Sequence, residues 1–429
     1  VVRGVGLLTG DSPAARETGA RGRNNRPLAS SSAQTGSAGS LRKNGAGNGV
    51  LVTAFEPSGD DHASVLIAEL RRRHPSLPIY AWGGPKMAAA GATVVEQTTR
   101  DAVMGVPGAQ KIIDHVRINR RIDDWLDRNP VAVHVPVDSP DANFSIAAMT
   151  KGRGIRVAHL VAPQVWAWRQ HRIKKLRRLT DMVMCVLPFE EAWFRNRNVP
   201  ATFVGHPLFE RPLDFAALDA VTSTWPSGSP KIALMPGSRP GEIAKCFPLI
   251  LDAFRRIKGD LPGAVGVVPV THADVQERLR SIAGERGGWI DGMHVAVGNT
   301  DAVIRWCDCA LVASGTVTLQ IAKQLKPMVV FYRFGKHLKI PFALFGSRVF
   351  KTKYFTLPNL IANDRVVTEL MPYFSADGNE LAVGIYRLLR QPGCADAQRV
   401  ALAGVVAQFE GRRTGPMAAD IVEQLAGLS

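Results

Sequence analysis

Carboxylates just beyond apolar runs are the first groups in this chain that could do acid–base chemistry. The segment Val135-Pro136-Val137-Asp138-Ser139-Pro140-Asp141 sets Asp138 and Asp141 after such a run, with Asn143 close by. A carboxylate at a strand end can serve as a general base, but Asp-Ser-Pro-Asp is equally ordinary turn chemistry. Glu56 and Asp60 flank Ser58 and Gly59 in the equivalent position after the apolar residues 50–55, where the competing role is helix N-capping. A third turn, Pro236-Gly237-Ser238-Arg239, follows another β-type run. Backbone N–H groups at a helix N-terminus favour a bound phosphate, and the Arg239 guanidinium can grip a diphosphate through two parallel hydrogen bonds. The same four residues also suit a plain connecting loop. Ala313-Ser314-Gly315-Thr316 could complete one phosphate-sized cleft with Arg239, since Gly315 leaves room for close backbone approach, although Ser and Thr more often cap helices.

The elements that must hold these turns are legible in the apolar spacing. Residues 50–55 form a strand-like run, 56–59 a turn, and Ala63, Leu66, Ile67 and Leu70 one helix face that ends before Pro75. The same grammar returns in residues 231–235, 236–239 and the stripe Ile243, Phe247, Ile250, Leu251 and Phe254. Alternating β and α segments of this kind imply an α/β chain with two parallel-sheet units. Residues 211–230 mix Pro, Ser, Asp and Thr without periodicity, which puts the crossing between domains near residue 210. Nothing recurs at the fixed period of a solenoid. Residues 1–48, rich in Gly, Ser, Ala, Asn and Arg, have the composition of a disordered basic tail. The apolar start of that tail is too short and too broken for a secretory signal core.

Length and composition narrow the class. With 429 residues, 46% of them hydrophobic, the chain can bury a large core without a disulfide or metal staple. The 5 cysteines, Cys185, Cys246, Cys307, Cys309 and Cys394, include no C-x-x-C unit, which fits a reducing compartment and argues against structural zinc. No apolar run approaches the ~18 residues needed to span a bilayer. The net charge of +16 favours anionic partners: nucleic acid, acidic lipid or phosphorylated small molecules. Two stretches concentrate it. Arg169, Arg172, Lys174, Lys175, Arg177 and Arg178 follow Trp166 and Trp168; later, Arg333, Lys336, Lys339, Arg348 and Lys351 interleave with Phe342, Phe345 and other aromatics in an acid-free stretch. Basic residues among aromatics suit an anionic lipid surface. A single-stranded nucleic-acid groove or a plain solvated face would look similar.

Taken in order, these segments resemble the lipid-A-disaccharide synthase family. The matching pieces are Glu56-Pro57-Ser58-Gly59-Asp60, Gly83-Gly84-Pro85-Lys86-Met87, Val103-Met104-Gly105, Asp138-Ser139-Pro140-Asp141, Pro163-Gln164-Val165-Trp166-Ala167-Trp168-Arg169, Leu187-Pro188-Phe189-Glu190 and Val204-Gly205-His206-Pro207. They continue with Met235-Pro236-Gly237-Ser238-Arg239, Ala313-Ser314-Gly315-Thr316, Lys326-Pro327-Met328-Val329-Val330 and Leu357-Pro358-Asn359-Leu360. The resemblance covers residue 49 to the C-terminus and implies a GT-B fold, two Rossmann-like domains facing across a cleft. It implies a division into 49–209, on the acceptor and membrane side, 210–390, binding the UDP-sugar, and 391–429, helices returning to the first domain.

The reaction it implies is inverting, metal-independent transfer of 2,3-diacylglucosamine from UDP to the 6-hydroxyl of 2,3-diacylglucosamine 1-phosphate. The implied setting is the cytoplasmic side of the inner membrane, peripherally bound to its anionic surface, with a homo-oligomer possible and neither a cofactor nor nucleic acid required. By the same resemblance Asp138 is the base and Glu56 and Ser58 orient the sugar. Gly237, Ser238, Arg239, Ser314, Gly315, Thr316, Gln320 and Asn359 serve the UDP side, and Asp60, Asn143 and Glu369 belong to the substrate site. His206 is a hinge or cleft residue, with a purely structural histidine as the alternative, and Trp166, Trp168 and Arg169 face the membrane. Phe55 stands where the family usually has Gly, Ala142 where it has Phe, and Gln320 where it has Glu. The alternatives to this reading are another UDP-sugar enzyme of the same fold, including an epimerase, and a non-catalytic lipid-binding paralogue.

Overall fold

The computed structural model describes residues 49–99, 108–335, 339 and 352–428. The tail 1–48, the Val103-Met104-Gly105 motif, and Lys336, Phe342, Phe345, Arg348 and Lys351 lie outside the described residues.

Strands β1 (Gly49–Thr53), β2 (Ile79–Gly83), β3 (Thr93–Gln97), β4 (Val131–Pro136), β5 (Arg156–Leu160), β6 (Met182–Cys185) and β7 (Ala201–Phe203) form one sheet. Their order is β3-β2-β1-β4-β5-β6-β7, with every pair parallel. Between them run helices α1 (Pro57–Arg73), α2 (Pro85–Ala89), α3 (Gly108–Leu126), α4 (Pro140–Gly152), α5 (Ile173–Leu179) and α6 (Glu190–Arg195). Short helices α7 (Pro207–Glu210) and α8 (Phe215–Thr222) make the crossing.

The second sheet holds β8 (Lys231–Met235), β9 (Val265–Val270), β10 (Met293–Val297), β11 (Cys309–Ala313), β12 (Met328–Arg333) and β13 (Thr368–Tyr373), in the order β10-β9-β8-β11-β12-β13 and again parallel. Its helices are α9 (Pro240–Asp260), α10 (Asp274–Gly284), α11 (Thr300–Trp306), α12 (Val317–Lys323), α13 (Leu357–Ala362) and α14 (Asn379–Arg390), followed by α15 (Cys394–Ala407) and α16 (Thr414–Ala426). The expectation of an α/β chain with two Rossmann-like parallel sheets holds. A parallel sheet covered by helices on both faces needs near-continuous apolar strands, and β1 and β11 are buried along their whole length.

Both sheets reverse direction at one point, β1/β4 in the first and β8/β11 in the second. Ligands of open parallel sheets bind beyond the carboxyl ends of the strands at such a switch point. Register sets the two ends level: Thr53 pairs with Pro136, and Met235 with Val312. The turns after β1, β4, β8 and β11 are the four singled out from sequence.

The C-terminal helix belongs to the first half. Ala418, Ala419, Ile421 and Val422 of α16 share a core with Ala63, Leu66, Ile67 and Leu70 of α1, and Arg73 pairs with Asp420 at 2.6 Å and Glu423 at 2.9 Å. At the crossing, Phe209 stacks on Phe409 with centroids 4.0 Å apart. Gly205 has φ +90, and a Cβ there would meet the Arg412 Cβ at 2.7 Å. That close approach explains the glycine of the Gly205-His206-Pro207 turn.

Candidate active site

Asp138 sits where β4 ends, its backbone N–H donating to Leu160 O at 2.9 Å. It has φ 48 and Ser139 has φ 39, the left-handed region that L-residues avoid. Val161 (φ 64) and Arg169 (φ 56) share this strain, and Asp138, Ser139 and Arg169 all line one cleft of about 780 Å³. Such strain persists only where the surroundings over-determine it, and it gathers at functional sites.

A buried network over-determines the Asp138 turn. The Asn143 amide donates to Val137 O at 3.1 Å and to Asp138 O at 2.9 Å, so its Oδ1 is left to accept, and Thr53 Oγ1 donates to it at 2.7 Å. Having spent its proton, the Thr53 hydroxyl accepts from His134 Nε2 at 2.9 Å. That donation fixes the proton of a neutral ring on Nε2 and leaves Nδ1 facing Thr150 Oγ1 at 3.1 Å, a hydroxyl also within donating distance of Ile146 O at 3.1 Å. Burial drives the His134 pKa down to about 3. Asn143 thus shapes the turn from beneath and is fully buried. Thr53 and His134 carried no weight from sequence; the signal was a polar residue within each of two otherwise apolar strands.

Burial raises the Asp138 carboxyl above the ordinary aspartate range and the charge of Glu56 raises it further, while the Ser139 N–H and Arg239 oppose both. A base with a raised pKa accepts a proton more readily, which suits removal of a hydroxyl proton. Glu56 takes the N-cap position of α1 but makes no capping bond. Its carboxylate instead reaches Arg239 Nη2 at 3.1 Å, linking the turn after β1 to the turn after β8. Ser58 is exposed in the first turn of α1. Asp60 has a different task from the expected substrate contact: it is buried and accepts from Lys86 N at 3.1 Å and Met87 N at 3.0 Å, capping α2.

On the second half, Arg239 is held by Glu242 Oε1 at 3.2 Å, an acid three residues on whose spacing is that of a capping box. Gly237 has φ +100, and a Cβ there would strike the Glu242 side chain at 2.8 Å, so the turn itself demands glycine. Gly315 differs: a Cβ would meet nothing within 4 Å, so packing leaves the space before it open. Ser238, Gly315 and Thr316 are exposed, and Gln320 and Ser314 half-buried.

Other expected site residues also take packing roles in the fold. Asn359 is fully buried; its Oδ1 accepts from Val366 N and Val367 N, both at 2.9 Å, and its amide donates to Val367 O at 3.2 Å. Glu369 accepts from Phe355 N at 3.1 Å, Thr356 N at 2.8 Å and the Asn359 amide at 3.2 Å. Both side chains tie the approach to α13 onto β13. His206 is buried, caps α7 by accepting from Leu208 N at 3.2 Å, and meets His62 edge-on at 5.0 Å. Trp166 does not face outward: it is 6% exposed and donates to Glu190 Oε1 at 2.9 Å. Trp168, by contrast, is exposed at 39%, with the Arg169 guanidinium 4.3 Å from its ring. Arg333 is half-buried and Lys339 exposed.

A family model described as lipid-A-disaccharide synthetase matches residues 50–402. A lipid-A-disaccharide synthase from Geobacter metallireducens is 33% identical over 390 residues, covering 88% of this chain and 97% of the relative. One from Colwellia psychrerythraea is 36% identical over 321 residues, covering 74% and 80%. Among solved structures, the S. aureus MnaA–UDP co-structure superposes with a TM-score of 0.61 at 10% identity, over 89% of this chain and 98% of that one. The glycotransferase of kitacinnamycin gives 0.60 at 16% identity, over 89% and 99%. At such identities these two likenesses speak to the fold alone.

Proposed function

The chain belongs to the lipid-A-disaccharide synthetase family and is a glycosyltransferase; from that premise we propose that it joins a 2,3-diacylglucosamine unit, carried by UDP, to the 6-hydroxyl of 2,3-diacylglucosamine 1-phosphate. The observation that carries the reading is Asp138, a half-buried carboxylate with a raised pKa, in one cleft with Glu56 and Arg239. In this reading residues 49–209 receive the acceptor and 210–390 the donor.

Asp138 takes the proton of the acceptor 6-hydroxyl as its oxygen forms a bond to the donor's anomeric carbon from the face opposite UDP. The bond from that carbon to the β-phosphate oxygen breaks, the configuration inverts, and the electron pair leaves on UDP. Fixed donors aimed at the growing charge stabilise such a leaving group. Arg239 supplies a fork of N–H groups; the Gly237–Ser238 backbone and the open turn 314–316 supply backbone donors, and Gln320 a neutral amide in reach of a ribose. Glu56 holds Arg239 in place and orients the sugar with Ser58.

Both substrates carry acyl chains, so access from a membrane surface is part of the proposal, with Trp168, Arg169, Arg333 and Lys339 on the anionic cytoplasmic face. No helix among the described residues is long and apolar enough to cross a membrane. The test is turnover of the purified protein with the two lipid substrates, reading UDP and disaccharide separately. The expected result is equal release of both, reduced at least ~100-fold in Asp138→Ala. UDP without disaccharide would reassign the acceptor, and an unimpaired Asp138→Ala would remove the base.

A further inference from the structure

Beyond the wall formed by Asp141 and Arg172 lies a second cavity, of about 420 Å³, that the transfer mechanism leaves unused. It is lined by Phe144, His171, Arg172, Lys174, Lys175 and Arg178, with Asp141 as its one acid. Asp141 is already committed: Arg172 Nη2 donates to its Oδ1, and Arg169 Nη1 lies 3.7 Å from its Oδ2. Among the described residues, no carboxylate pairs with Lys174, Lys175 or Arg178. The buried Phe144 ring lies under Lys175, whose Nζ is 5.1 Å from its centroid, which directs that stem along the cavity wall. Like charges gathered around a recess without a protein counter-charge repel one another, and a bound anion relieves the repulsion. The mixture of guanidinium fork and ammonium point charges suits a phosphate, which offers three acceptor oxygens and about −1.5 to −2 charge.

Asp141 and Arg172 also line the main cleft, so the two cavities share that ion pair as a wall. The recess belongs to the half that carries Asp138, whereas Arg239 and the 314–316 turn, the groups suited to a diphosphate, belong to the other half. We propose that this recess is the subsite for a phosphomonoester on the acceptor, seated by Lys174, Lys175 and Arg178 with Arg172 on the shared wall, and that it sets the acceptor hydroxyl in register with Asp138. The inference rests on the sugar-transfer reading of the cleft.

The experiment compares wild type with the double variant Lys174→Gln/Arg178→Gln in neutral detergent micelles. Each is assayed at saturating donor with the phosphorylated acceptor and with the same acceptor lacking its phosphate. Both positions are exposed, and an unchanged melting temperature checks the fold. The expected result is a loss of at least ~30-fold in kcat/KM on the phosphorylated acceptor. It acts through acceptor KM, with less than ~3-fold loss on the other acceptor and an unchanged donor KM. Inorganic phosphate should raise the melting temperature of wild type more than chloride at equal ionic strength, and not that of the variant. Equal losses on both acceptors would overturn the proposal. So would a loss that arises only on anionic vesicles, which would make the recess a lipid-headgroup site. Wild type turning over neither acceptor would instead defeat the sugar-transfer reading itself.

Discussion

At the scale of single residues, Asp138 combines two demands that oppose each other. Its folded pKa is raised by burial first and by Glu56 second, so the folded state binds the proton more tightly than the unfolded chain does. That contribution to stability is full below the unfolded value and is lost as pH rises through the folded one. Above its folded pKa the ionised carboxylate is therefore a cost to the fold, retained for reactivity. Asp138→Asn should lower kcat at least ~100-fold while melting at the same temperature as wild type or higher, and a clear drop in melting temperature would refute this account. Phe55 and Ala142 pose a packing question of the same scale. Both lie in one buried cluster with Leu51, Trp82, Ile122 and Ile146, and both line the cleft. The family resemblance puts Gly at the first position and Phe at the second, so the aromatic ring stands just after β1 instead of in the first turn of α4. Phe55→Gly alone should cost ~3–5 kcal/mol by leaving a void, and Ala142→Phe alone ~1–3 kcal/mol by overpacking. The double variant, measured by urea unfolding, should recover at least ~2 kcal/mol of the sum; strict additivity would show that the two sites do not share space.

At the scale of elements, the loop from Val161 to Arg169 is held from behind by a buried acid. Glu190 accepts from Trp166 Nε1 at 2.9 Å and from Leu187 N at 3.1 Å, and the Trp166 ring meets Phe189 edge-on at 5.0 Å. Burial pushes the Glu190 carboxyl up to about 7, against the hydrogen bonds it accepts. The folded pKa lies above the unfolded one, so its contribution declines as pH rises from ~4.5 towards about 7. Wild type should thus lose stability relative to Glu190→Gln between pH 5 and 8, a difference in melting temperature that an acid-independent role would keep flat. The alternation of β and α, and the four turns at the strand ends, were legible because apolar runs and periodic stripes are local. Which strands neighbour one another was not, because the β1–β4 and β8–β11 pairings join residues more than seventy positions apart. The same locality limit explains the changed assignments. Trp166 read as a surface aromatic because Glu190, its partner, is 24 positions away. Asp60 read as a substrate contact or a cap of its own helix, whereas it caps α2 from 26 positions upstream of Lys86. Asn359 and Glu369 looked available for a ligand until the backbone groups they satisfy came into place.

At the scale of the whole molecule, titratable groups divide unevenly between the two sheets. His134 and His159 are buried on β4 and β5, and His62 and His206 meet where α1 faces the crossing. Burial lowers His134 and His159 to about 3, His62 to about 4, and His206 well below its usual value. A ring whose folded pKa is depressed contributes stability that is complete above the unfolded value of ~6.5 and lost as pH falls towards the folded one. Each such ring weakens the fold as pH falls through that window, and the four act in the same sense. The raised carboxyls Asp138 and Glu190 act in the opposite sense but sit in the same half, with Glu210 at the crossing. In the second half, His272 and His294 are exposed, and its cores are built from β8–β13 and their own helices. Acid should therefore open the first sheet before the second. Pulsed hydrogen exchange after a step from pH 7 to pH 4.5 should show β1, β4 and β5 losing protection while β8, β9 and β11 keep theirs, and His62→Phe should move the transition of the first sheet to lower pH. Simultaneous loss across both sheets would mean that the shared core at the crossing, where Leu319 and Ile361 join Phe203, Phe409 and their neighbours, binds the halves into one cooperative unit stronger than this imbalance of charge.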